Sequence, residues 1–118
     1  MIGTIRPMNR STAIAVLLLA SILEAGGDAI MRTALRSSGP LPRIGFFGLG
    51  ALVLFAYGYA VNAPPWDFGK LLGLYVVFFF LTAQTISWVF FSQPPSRAIL
   101  LGGALIVAGG LVIAFSEA

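Results

Sequence analysis

Two carboxylates and two guanidinium groups stand in SILEAGGDAIMRTALR, Ser21 to Arg36, a stretch that continues an apolar run. Glu24, Asp28 and Arg32 follow one another at intervals of four, which puts all three near one face of a helix. A carboxylate inside such a helix can hold a proton or a cation. Counted from Ala13, Glu24 lies about eleven residues in, or roughly 16 Å along the axis, near the middle of a hydrocarbon core about 30 Å thick. An ionised carboxylate at that depth is costly, so Glu24 must face a polar cavity or partner, or carry its proton. That describes a site shared by protons and a cation. The structural alternative is a neutral Glu24 bonded between helices as glue. Function is favoured, because a glutamine or serine would make the same bond without the risk of ionising.

Asp28 sits roughly 6 Å nearer the boundary, where it can pair with an outward-reaching Arg32 or stay free as a second cation contact. The ion pair is the slightly better expectation. Gly26 and Gly27, between the carboxylates, leave room for a neighbouring helix or a ligand. A later run supplies a wall for the cavity. Tyr75, Phe78, Phe79, Thr82, Thr85 and Val89 recur at helical spacing and combine aromatic faces, which attract organic cations, with hydroxyls. Most of these aromatics, and Trp88, are equally well read as lipid-facing or interfacial. Tyr75 is the exception. Tyr57 is deep enough to join it, whereas Tyr59 reads as an interface anchor.

The elements that must position these residues follow from composition. Of 118 residues, 58% are hydrophobic and 9% charged, and the mean hydropathy is +0.97. A soluble domain needs more surface charge, so the chain reads as a single all-α membrane domain. Four apolar runs approach the roughly 20 residues that a helix needs to span the hydrocarbon. They cover 13–31, 44–61, 71–91 and 98–115. The connections SSGPLPR, NAPPWD and SQPPSR are short and contain proline, which predicts antiparallel hairpins in a four-helix bundle. Arg6 and Arg10 before AIAVLLLA give the first run the outline of a signal peptide; a glutamate beside the cut and three further spans favour a transmembrane helix. The fourth run carries glycines in pairs seven apart, Gly102 and Gly103, then Gly109 and Gly110. They form a small-residue face for a dimer seam or for packing within the chain.

The net charge of +3 lacks the basic stripe that a nucleic acid requires, and no nucleic-acid partner is expected. No cysteine and no histidine is present, so proton handling falls to a carboxylate. Neither metal spacing nor a nucleophile–base pair or phosphate loop is visible; no metal, cofactor or enzymatic activity is expected. Arg6, Arg10 and Lys70 lie on one side of the four spans, and Arg32, Arg36, Arg43 and Arg97 on the other. This near balance gives little orientational bias and is compatible with insertion both ways and an antiparallel dimer, or with one dominant orientation.

LEAGGDAIMR, SWVFFSQ and GGALIVAGG together resemble the small multidrug resistance transporters, four-helix members of the drug/metabolite transporter superfamily. The resemblance spans the whole chain, most specifically in a membrane glutamate followed by Gly27 and Arg32. It implies proton-coupled antiport by an antiparallel homodimer in the bacterial cytoplasmic membrane. Glu24 would take the coupling role, Gly27 close packing beside it, Tyr75 the aromatic wall, and the fourth-helix glycines the dimer contact. There are departures: Asp28 stands where a small hydroxyl residue is usual, Leu72 replaces an aromatic, and Val77, Phe78 and Phe79 fill a glycine-containing stretch. These point away from broad aromatic-drug export. GKLLGLY is also similar to a sister family of small four-helix membrane proteins. The expected function is export of a small organic cation or cationic metabolite in exchange for protons, through Glu24, Asp28, Tyr75, Tyr57 and Thr82. The alternatives are a subunit that flips a lipid-linked sugar or amine, paired with a second small four-helix protein, and a non-transporting assembly subunit.

Overall fold

The structure is a computed structural model whose described residues are 8–116; Arg6, counted above among the orientation charges, lies outside them. Four helices follow in order, α1 (Arg10–Arg36), α2 (Pro40–Val61), α3 (Phe68–Phe91) and α4 (Arg97–Ala114). Each is long and apolar enough to cross a membrane, and the protein is a multi-pass membrane protein of the all-α class. Most large side chains face outward, Phe55, Phe90 and Leu105 among them, as expected where the solvent is lipid.

The helix ends follow local chemistry that hydropathy does not register. Asn9 caps α1 by accepting a hydrogen bond from the Thr12 N–H at 2.7 Å, so α1 begins three residues before its apolar run. It continues to Arg36 because arginines favour the helix C-terminus and reach water from there. The segment SSGPLPR, expected to break the chain throughout, breaks it only up to Gly39. Pro40 opens α2, since a helix's first N–H groups need no partner within the helix. Ser96 caps α4 by accepting from the Ile99 N–H at 3.2 Å. α3 ends on Ser92, whose left-handed φ of 54° lets the Gln93 N–H reach the Ser87 carbonyl oxygen at 3.0 Å.

The helices lie side by side in the order α2, α1, α3, α4. The Cα envelope measures 50 × 42 × 19 Å, a flattened slab. Close approach within it depends on glycines. A Cβ on Gly27 would lie 2.6 Å from a methyl of Leu54, so α1 and α2 meet there only because Gly27 has none. The α3–α4 seam works likewise. Gly110 receives Val77, Gly103 receives the Phe80 ring, and Gly73 of α3 receives Ile113 of α4.

This seam divides the four glycines expected to form a dimer contact. Gly103 and Gly110 are buried against α3 of the same chain, whereas a Cβ on Gly102 or Gly109 would meet nothing within 4 Å. Consecutive residues point about 100° apart on a helix, so one member of each pair serves the chain's own packing and the other faces outward.

Candidate functional site

Glu24 falls near the middle of α1 and turns toward α3, where the Tyr75 hydroxyl donates a hydrogen bond to its Oε1 at 2.9 Å. Tyr75 is only 4% exposed, so this phenol is committed to the carboxylate rather than to a surrounding solvent. Its ring lies 6.0 Å from that of Tyr57 and 6.4 Å from that of Phe79, centroid to centroid, within the range of favourable tilted aromatic pairs. An apolar base of Leu17, Ala20, Val61 and Leu71 packs against the same tyrosine. Three helices thus hold one phenol in place, with α1 supplying the acid, α2 the second tyrosine and α3 the donor.

Thr82 does not join them. Its hydroxyl lies 3.0 Å from Ser21 Oγ, and Ser21 also donates to the Leu18 carbonyl oxygen at 2.6 Å. Ser21 is fully buried and bridges α1 to α3, so Thr82 is a helix-joining residue rather than a lining one. The sequence reading missed Ser21, although a hydroxyl three residues before Glu24 on the same apolar helix was the available signal.

The expected wall of α3 also divides. Tyr75, Phe79 and Thr82 turn toward α1, but Thr85 and Val89 face outward, and Thr85 bonds back to the Leu81 carbonyl oxygen at 2.9 Å. A straight helix at 3.6 residues per turn carries a stripe of threes and fours gradually round its axis. Farther along, Ala83, Ile86 and Ser87 take over the surface that faces α1.

That surface closes a cavity of about 260 Å³ between α1 and α3, with Asp28, Arg32, Phe79 and Phe91 among its walls. Asp28 is exposed and lines this space, while Glu24 is not among its walls and is engaged by Tyr75. The two carboxylates therefore do not share one chamber; Phe79 borders the cavity on one side and Tyr75 on the other. Nor does Asp28 pair with Arg32 as expected. The Arg32 guanidinium stands over the Phe91 ring, its Cζ 5.4 Å from the centroid, a cation–π contact that the long arginine stem reaches across to α3. Combining Asp28→Asn with Arg32→Gln should accordingly give stability losses that add within about 0.5 kcal/mol. A double-mutant cycle measured by thermal unfolding in detergent checks this, and coupling well above that figure would restore the pair.

Gly26 and Gly27 take different parts. Gly27 admits α2, whereas a Cβ on Gly26 would meet nothing within 4 Å, leaving open space beside Glu24. Tyr59 is 78% exposed, in keeping with an outward-facing role. No protein-family model, curated protein or solved structure matches the chain.

Proposed function

We propose that the protein is a proton-coupled secondary antiporter that exports a small organic cation, with Glu24 holding protons and substrate in turn. The observation that carries this reading is the Tyr75 to Glu24 hydrogen bond at 2.9 Å, deep between two membrane-spanning helices. A phenol aimed at a carboxylate stabilises its ionised form, the form that binds a cation, and leaves the second carboxylate oxygen for the ligand. In the empty state Glu24 takes a proton and needs no counter-ion in lipid. Exchange follows from exclusion: one carboxylate cannot hold the proton and the cation together.

The other residues fit this scheme. Tyr57 and Phe79 give the site aromatic faces suited to an organic cation. Asp28 offers a first contact at the open cavity, one helical turn from Glu24.

Asp28 is exposed in the single chain and the outer glycines of α4 face open space, so we assign the working unit to a dimer. The resemblance to the small multidrug resistance transporters supports an antiparallel homodimer in the bacterial cytoplasmic membrane. A heterodimer with a second small four-helix protein is the alternative. Purified protein in liposomes tests the transport claim. An imposed pH gradient should drive accumulation of at least one cation from a panel of guanidinium compounds, quaternary amines and polyamines. Folded protein that moves none of them would overturn the antiport and favour the flippase or assembly role.

A further inference from the structure

Away from Glu24, a second and larger cavity of about 550 Å³ opens at the end of the slab where α1 begins, α3 begins and α4 ends. Its mouth is polar and carries Arg10, Asp67 and Lys70. Its interior is apolar. Lys70, Leu74 and Phe78 follow one another at i, i+4 and i+8 along α3, so one stripe of this helix forms the floor and runs from the mouth about 12 Å into the bilayer. Ile14 of α1 and Phe115 beyond α4 flank that stripe, and both are exposed, which leaves the trough open sideways to lipid.

We propose that this trough binds an anionic phospholipid, with its phosphate between Arg10 and Lys70 and an acyl chain along Leu74 and Phe78. The charge, the shape and the lining of the trough support the assignment. Among the described residues the lining carries Arg10 and Lys70 against Asp67, an excess of one positive charge that a phosphodiester's single negative charge offsets. Lys70 is half-buried and its amino group donates to the Ser116 carbonyl oxygen at 3.3 Å, which places its charge at the mouth. The first turn of α3 is free to contribute, because Asp67 at its N-cap makes no side-chain bond to the helix N–H groups. The change from polar to apolar along one trough matches a lipid head and tail, whereas a free anion would leave the Leu74–Phe78 floor without a role. Trp66, also in the lining, belongs to the residue type that settles at the headgroup level.

The test is competition for the purified full-length protein between a fluorescent phosphatidylglycerol and unlabelled lipids in zwitterionic detergent. Phosphatidylglycerol should displace the probe and phosphatidylcholine should do so poorly. Lys70→Gln and Arg10→Gln should each weaken phosphatidylglycerol by about fivefold, and together by about 25-fold. Lys70→Arg should retain binding. Arg43→Gln removes the same charge at the far end of the slab and should change nothing. Leu74→Trp, which fills the floor without altering charge, should also expel the lipid. Equal loss in Arg43→Gln would mean general charge attraction and overturn the site. Displacement by millimolar inorganic phosphate, insensitive to Leu74→Trp, would identify a free-anion site and overturn the lipid assignment. Unchanged binding in both Lys70→Gln and Leu74→Trp, with native helix content and elution, would overturn it as well.

Discussion

Replacing Glu24 with glutamine should abolish pH-driven cation uptake while leaving the fold intact. Glutamine has nearly the same volume and its amide oxygen can still accept the Tyr75 hydrogen bond, so packing between α1 and α3 survives. It can neither ionise nor take up a proton, so the exchange loses its only carrier at that depth. Uptake in liposomes should fall to the level of protein-free vesicles, with thermal stability in detergent unchanged. Residual uptake in this variant would move the coupling to Asp28, the other membrane carboxylate. Tyr75→Phe should give a graded result. A hydrogen bond to a charged group contributes about 1.5–3 kcal/mol, so removing this donor should weaken cation binding by at least about tenfold without eliminating exchange.

The second large effect concerns the glycines of α4. Gly110→Leu drives a side chain into Val77, a β-branched residue with little freedom to give way, and the resulting overpacking should cost about 1–3 kcal/mol. α3 is the main neighbour of α4, so the loss should appear as a lowered unfolding temperature and detachment of α4. Gly109→Leu provides the contrast, one residue away and facing open space. It should leave the stability of the single chain within about 0.5 kcal/mol. If the outer glycines meet a second copy, the same substitution should shift the population from dimer to monomer, as read by cross-linking in membranes. Equal destabilisation of the single chain by both variants would contradict this division of the pair.

Much of this arrangement was legible in the sequence. Lipid as solvent makes the hydropathy signal strong, and all four spans appear where the apolar runs predict them, with the ends at Val61 and Phe91 unmoved and the others displaced by one to five residues. Three of the displacements arise at Asn9, Pro40 and Ser96, where caps and proline preferences decide the boundary, and the largest carries α1 on to Arg36. Glu24 and Tyr75 were both legible as site residues, but Tyr75 read as an aromatic wall, and its hydroxyl as the partner of the carboxylate emerged only from the packing of α1 on α3. The finer assignments depended on how each helix is rotated about its axis, which a one-dimensional pattern leaves open. Thr82 met Ser21 instead of the cavity, Thr85 and Val89 turned outward, and two of four glycines were taken by α3. Asp28 and Arg32 had the spacing of an ion pair. The reach of the arginine to Phe91 in another helix decided otherwise, a competition that sequence separation within α1 cannot express.

The exchange at Glu24 is tested most directly by proton release from the purified protein in weakly buffered detergent, as small organic cations are added. A cation that displaces the proton from Glu24 should acidify the solution in proportion to its binding, and the signal should vanish in Glu24→Gln. Cation binding without proton release, or equal release from Glu24→Gln, would contradict a site shared by proton and substrate.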